Sequence, residues 1–321
     1  MAICSDEKRV EPRVKAKAQI VFVNIYIFVK YACIFVHPVL YCDKIIEIFW
    51  EDQAMRKLLV MLLSATMLLT ACAIMTGCGT KDENKLVMAT NAAFPPYEYK
   101  DDGDNFAGID VEIAGLIAEK LGLELQIEDV EFGSIITGVQ SGKYDIGMAG
   151  MTVNDERKES VDFTDSYATG IQVVIVPENS EFTSFEDFYT GFDDDGNPTG
   201  VQDGIKIGVQ QDTTGDIYSS DVPQKWGFGE ENVIRYKTGA DAVQALLSGK
   251  VTAVIIDNEP AKSYVKANEG LKILDGEYTN EDYAICVSKD NGELLEKVNK
   301  ALNELREEGK IDEIINKYIK E

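Results

Sequence analysis

Residues 85–152 read KLVMATNAAFPPYEYKDDGDNFAGIDVEIAGLIAEKLGLELQIEDVEFGSIITGVQSGKYDIGMAGMT. The apolar run Leu86–Thr90 has the length of a short strand. Ile109, Ile113, Leu116 and Ile117 then recur at helical spacing, and Gly122 follows as a stop signal. Leu123–Ile127 predicts the next strand. Phe132, Ile135, Ile136 and Val139 again recur at helical spacing, before Ser141-Gly142-Lys143 and a strand over Asp145–Ala149. Strand, helix, strand, helix, strand is the signature of an α/β fold.

The layout returns downstream. Ile205–Val209 predicts a strand, and Val243, Leu246 and Leu247 a helical stripe. Ser248-Gly249-Lys250 then leads into a strand over Thr252–Ile256. A slide of 107 residues places Ser141-Gly142-Lys143 on Ser248-Gly249-Lys250 and Gly150 on Asp257. The repeat predicts two similarly built lobes. Leu294, Val298, Leu302 and Leu305, then Ile311, Ile314, Ile315 and Tyr318, predict closing helices. Ligands of open α/β sheets sit at the carboxyl ends of strands. That directs attention to Asn91–Phe94, Gly150–Arg157, Gln210–Gly215 and Asp257.

Composition narrows the chemistry. The 321 residues carry a formal charge of −25, which opposes a phosphate backbone and excludes nucleic acid as a partner. The cysteines are Cys4, Cys33, Cys42, Cys72, Cys78 and Cys286, so no internal disulfide is possible beyond Cys78. The only histidine is His37. Anything built from later residues lacks an imidazole base or metal ligand. No metal or cofactor is expected, and the chain is expected to be a monomer and not an enzyme.

Residues 55–78 read MRKLLVMLLSATMLLTACAIMTGC. A basic start, an apolar run and small residues before cysteine make a secretory signal. Leu69-Thr70-Ala71-Cys72 and Met75-Thr76-Gly77-Cys78 both resemble a bacterial lipobox, so either Cys72 or Cys78 is expected to carry lipid. Residues 79–84 would form the tether. A plain transmembrane anchor is the alternative; either places the rest outside the cytoplasm, at the outer face of the cell membrane. Residues 1–54 precede a signal that acts at an N-terminus. They are read as an extension absent from the natural protein, the alternative being a membrane hairpin.

Four pieces of chemistry stand out at the strand ends. Arg157 follows Gly150-Met151-Thr152, with Asn154 placed to cap a helix that carries Asp155 and Glu156 in its first turn. Its planar guanidinium can grip a carboxylate in bidentate fashion, which lysine cannot copy. The plainer reading is a surface arginine paired with Asp155 or Glu159. Asp257 ends the apolar run Val251–Ile256, where it suits a ligand ammonium or, alternatively, a helix cap before Pro260. Gln211-Asp212-Thr213-Thr214-Gly215 follows a strand and can present backbone N–H groups to an anion. Phe94 and Tyr97 on a proline-stiffened loop, with Phe132 opposite, can sandwich an apolar stem or simply be core. Asp193-Asp194-Asp195-Gly196-Asn197 has the composition of a calcium loop but not its spacing, and reads as a solvated turn.

Together these residues resemble the amino-acid-binding family of ABC-transporter solute-binding proteins. The resemblance is carried by Ala89-Thr90-Asn91-Ala92-Ala93-Phe94-Pro95-Pro96-Tyr97-Glu98 and Gly108-Ile109-Asp110-Val111-Glu112. It continues through Gly150-Met151-Thr152, Asp155-Glu156-Arg157, Val161-Asp162-Phe163-Thr164, Val209-Gln210, Thr213-Thr214-Gly215 and Asp257-Asn258. It implies a two-lobed α/β fold of the type II periplasmic-binding-protein kind. Lobe one would hold residues 85–169 and 286–321 and lobe two residues 170–285, with crossovers near Tyr167–Ile171 and Tyr283–Ile285. It also implies roles. Arg157 and the N–H groups of Thr152 and Thr214 would take the ligand α-carboxylate. Asp257, the Gly150 carbonyl and the Thr152 hydroxyl would take the α-ammonium. Phe94 and Phe132 would flank the side chain, with Asn91 and Gln210 setting selectivity; Met151 and Thr213 belong to the same matched segments. The partners implied are an amino acid, the ABC permease with its ATPase subunits, and the membrane through the lipid anchor.

Two departures from the family pattern are visible. Asp212 stands where glycine is common, and residues 191–204 look like an inserted exposed loop away from the cleft. Asn91 in place of an acid points away from lysine or arginine and towards a neutral polar amino acid, glutamine first. The rival readings are a cyclohexadienyl-dehydratase-like enzyme using Glu98 or Asp110, and a ligand-sensing module.

Overall fold

The computed structural model describes residues 82–276 and 279–320. The extension 1–54, the signal segment 55–78 and the candidate lipidation sites Cys72 and Cys78 lie outside the described residues. Among those described, no helix is long and apolar enough to cross a membrane.

The first lobe grows from β1 (Lys85–Thr90), followed by the short strands β2 (Ala93–Phe94), β3 (Glu98–Lys100) and β4 (Phe106–Ala107). Helix α1 (Ile109–Leu121) buries Ile109, Ile113, Ala114, Ile117 and Ala118, and ends at Gly122 with φ 71°. That left-handed turn lets its N–H reach the carbonyls of Ala118 and Glu119, which suits a residue without Cβ. Then come β5 (Glu124–Asp129), α2 (Gly133–Gln140), β6 (Ile146–Gly147), α3 (Asp155–Ser160) and β7 (Val161–Phe163).

The second lobe comprises β8 (Ala168–Pro177), β9 (Tyr189–Phe192), β10 (Pro198–Val201), β11 (Ile207–Gln210), α4 (Thr214–Ser220), β12 (Val233–Tyr236), α5 (Gly239–Leu247), β13 (Ala253–Asp257), α6 (Asn258–Ala267), β14 (Leu271–Ile273) and β15 (Thr279–Tyr283). The chain returns to the first lobe through β16 (Cys286–Ser288), α7 (Gly292–Glu307) and α8 (Lys310–Tyr318).

The first sheet has the order β5-β1-β6-β16-β7, and the second β12-β11-β13-β8-β14, with β15 also paired to β8. β1 runs parallel to β5 and β6, while β16 is antiparallel to β6 and β7. Alternation along β1 decides the layers: Met88 packs in the core under α1, α7 and α8, and Ala89 in the core under α2. In the second lobe Val254 and Ile256 meet α5, whereas Ala253 and Ile255 face an aromatic cluster of Phe188, Tyr189 and Phe228. The mixed α/β, two-lobed architecture implied by the resemblance is therefore the one found.

Three expectations of local structure change. The strand expected over Asp145–Ala149 is only Ile146–Gly147, because β16 pairs with just that stretch. Leu247, expected in the apolar stripe of α5, is 42% exposed in its last turn. Residues 191–204 are not a simple loop: β9 and β10 form an antiparallel hairpin. Tyr189 anchors it by donating its hydroxyl to the Trp226 carbonyl at 2.6 Å and stacking on Phe228.

Candidate functional site

The ends of β1, β6, β11 and β13 converge on a cavity with about 310 Å³ of empty space. Asn91, Phe94, Phe132, Gly150, Thr152 and Arg157 line it from the first lobe, and Gln210, Thr213, Thr214 and Asp257 from the second. Met151, expected among them, does not line it. Its side chain is fully buried in the core with Ile135 and Val139 instead, where its apolar surface is removed from water. Glu98 and Ala149 complete the lining.

Arg157 is positioned by the start of α3. Asn154 accepts the Arg157 N–H at 2.8 Å as the N-cap, which fixes the first turn. The side chain is 6% exposed. Its Nη1 donates to the Thr152 carbonyl at 2.7 Å and its Nη2 to the Asp212 carbonyl at 3.2 Å, with the guanidinium 5.2 Å from the Phe132 ring centre. Among the described residues no carboxylate forms a salt bridge with it, so the surface pairing with Asp155 or Glu159 is not made. Burial pulls its pKa down, against the opposing charge of Glu281.

Asp257 is 7% exposed and precedes α6 without capping it through its side chain. The Tyr283 hydroxyl donates to its Oδ1 instead. Burial, and then the negative charge of Glu281, push its carboxyl up to about 7. Behind it lies a buried network: Thr152 Oγ1 donates to Glu281 Oε2 at 2.9 Å, and Gln172 Nε2 to the same oxygen at 3.0 Å. The Thr152 hydroxyl, expected to take a ligand ammonium, gives its proton to Glu281 and keeps its oxygen lone pairs to accept from a ligand at the cavity wall.

Gly150 is held by Asp110, whose Oδ2 accepts its N–H at 2.9 Å while Oδ1 accepts the Tyr167 hydroxyl at 2.8 Å. Gly150 has φ 49°, and a Cβ there would sit 2.9 Å from the Phe94 ring, so the position needs glycine. Burial raises the Asp110 carboxyl to about 6, and hydrogen bonds from Gly150, Tyr167 and Glu98 restrain the rise. Glu98 is 1% exposed, with no partner for its Oε2. Burial, then the charge of Asp110, lift its carboxyl well above the usual range. The hydrogen bond between the two pushes Glu98 up and Asp110 down, so of the pair Glu98 holds a proton the more readily.

The lobes touch across the cleft. Gln210 Nε2 donates to Asn91 Oδ1 at 2.9 Å, and Tyr264 hydroxyl to the Ala93 carbonyl at 2.6 Å. Asn91 is itself held by the Val130 carbonyl at 2.8 Å. Among the described residues no group of histidine, cysteine or carboxylate side chains is arranged to hold a metal.

Sequence reasoning missed Glu281, Gln172 and Tyr283, which reach the site from β15 and β8, strands that read as ordinary sheet. Glu98 was read from the sequence only as the acid or base of a rival enzyme, not as part of a binding wall, yet it lines the cavity.

The sequence profile of the bacterial extracellular solute-binding proteins, family 3, matches residues 86–321. The chain is 34% identical over 269 residues to the arginine-binding extracellular protein ArtP of Bacillus subtilis (strain 168), covering 82% of this chain and 98% of that one. Among solved structures it is similar to an ancestral arginine-binding protein bound to glutamine, with 36% identity, a TM-score of 0.65, and coverage of 74% of this chain and 99% of the other. It is similar also to an ancestral arginine-binding protein bound to arginine, at 38% identity, the same TM-score and the same coverage.

Proposed function

The chain belongs to the bacterial extracellular solute-binding proteins, family 3, and from that membership we propose that it captures a neutral polar amino acid, glutamine first, and delivers it to an ABC permease. The observation that carries this reading is Arg157, a buried cation to which no carboxylate among the described residues is paired. A buried charge is costly unless paired, and a ligand α-carboxylate supplies the partner. Asp257, across the cleft, takes the α-ammonium with the Gly150 carbonyl. Phe94 and Phe132 flank the side chain, and the Asn91–Gln210 amide pair offers a donor and an acceptor to a terminal amide.

A zwitterion held by Arg157 from one lobe and Asp257 from the other bridges the cleft. It shifts the protein towards closure only by its extra affinity for the closed form. The permease then reads the closed shape. A lipid on Cys72 or Cys78 would hold the binder near the permease and raise its effective concentration there.

Arginine is a second reading, favoured by Glu98, whose Oε2 is buried without a partner in the cavity wall. Burial favours the neutral form of Glu98, which suits an amide; a guanidinium would have to expel its proton. Calorimetric titration with glutamine and arginine in buffers of different ionisation enthalpy separates the two. Glutamine as ligand predicts no proton release from Glu98, so Glu98→Gln leaves the number released unchanged. Arginine predicts one further proton, absent in Glu98→Gln. Turnover of prephenate or arogenate would overturn both.

A further inference from the structure

Asp212 has φ 63°, the left-handed region that L residues other than glycine rarely occupy, though aspartate is among those that tolerate it best. Its N–H is tied to Asp216 Oδ2 at 3.0 Å, which fixes the turn before α4. From that turn the residue reaches the opposite lobe twice. Its carbonyl accepts Arg157 Nη2 at 3.2 Å. Its carboxylate lies against Gly133: a Cβ built there would stand 2.1 Å from Asp212 Oδ2 and 2.9 Å from Cγ. Gly133 opens α2, a helix with no side-chain cap from Phe132 and no acidic residue in its first turn. A helix start attracts negative charge. Asp212 brings that charge from across the cleft, and only when the lobes meet.

We propose that Asp212 is a closure latch: its backbone holds Arg157 in place, and its carboxylate completes the start of α2 in the other lobe, so that it slows opening and retains the ligand. Glycine at 212 would keep the turn and the carbonyl; the carboxylate is what the latch adds. Gly133 leaves the room it needs. The Lys237–Glu131 ion pair, 2.6 Å apart at the same rim, is largely exposed and adds little. The inference rests on the amino-acid-binding reading, since the ligand is what the latch retains.

The test uses the full chain as wild type, Asp212→Gly, Gly133→Ala and the double variant, with amino-acid affinity and dissociation rate measured by stopped-flow chase. Gly133 has no positive φ, so alanine leaves the helix start intact and clashes only with Asp212. The latch predicts dissociation at least threefold faster in Asp212→Gly. It predicts affinity at least tenfold weaker in Gly133→Ala, and a double variant within twofold of Asp212→Gly. A Gly133→Ala penalty that persists in the double variant, or an unchanged dissociation rate in Asp212→Gly, overturns it. If wild type retains no amino acid, the functional reading fails separately. The latch is then judged by amide exchange of residues 133–140 in the empty chain: faster exchange in Asp212→Gly supports it, and equal exchange overturns it.

Discussion

Arg157 lies in the first turn of α3 in one lobe and Asp257 at the end of β13 in the other, and they differ in what burial does to them. Arg157 keeps its charge and finds only carbonyls and a ring. Arg157→Lys keeps a cation but loses the planar fork, and should weaken amino-acid binding by about 100-fold or more, since disrupting a buried charge-assisted pair costs roughly 3–5 kcal/mol. Titration calorimetry checks this, and affinity within fivefold of wild type would refute it. Asp257 is raised to about 7 by burial and then by Glu281, with Tyr283 and Gln172 restraining the rise. An ammonium needs the carboxylate, so binding displaces a proton, and affinity should fall about tenfold per unit below pH 6. The empty fold has the opposite dependence. The folded pKa lies above the unfolded value of about 3.9, so the stabilising proton is held at low pH and lost as pH rises from roughly 4 to 7. Asp257→Asn should flatten the affinity profile, at the expense of affinity above pH 7, and shrink the stability profile without abolishing it, since Asp110 and Glu98 contribute in the same direction. Both residues were legible in the sequence: Asp257 ends an apolar strand, and Arg157 follows the Asn154 cap signal just beyond a strand end. Glu281 was not, because nothing local shows that β15 lies beside β8 and behind Thr152.

At the scale of elements, the two lobes use one device with different detail. α2 and α5 each precede a Ser-Gly-Lys turn and a buried strand, which is why a slide along the sequence detected them. Their starts differ. α5 is capped by Thr238, whose Oγ1 accepts the Asp241 N–H at 3.1 Å, while α2 has no such cap. Thr238→Ala should lower the unfolding free energy by about 1 kcal/mol in urea and leave amino-acid affinity unchanged, because the cap lies away from the cavity lining. A loss of affinity would mean that α5 takes part in closure. The β9–β10 hairpin escaped the sequence reading for a physical reason. Its strands contain glycines and a proline, and what holds it is a remote aromatic cluster around Trp226 and Phe228.

At the scale of the whole molecule, closure is written in contacts that join sequence positions far apart: Gln210 to Asn91, Tyr264 to Ala93, and Asp212 to Arg157. The two-lobed plan was legible because each lobe repeats a strand–helix grammar. The cross-cleft pairs were not, since they depend on how two separate sheets meet. The central claim is that this cleft binds a free amino acid through Arg157. Thermal unfolding of the protein in the presence of each of the twenty amino acids and cystine tests it most directly. A ligand at 100 times its dissociation constant stabilises the fold by about 2.7 kcal/mol. The account predicts such a shift for a polar amino acid, glutamine or arginine, and its loss in Arg157→Ala. An unmoved midpoint with every amino acid, or a shift that survives Arg157→Ala, would contradict it.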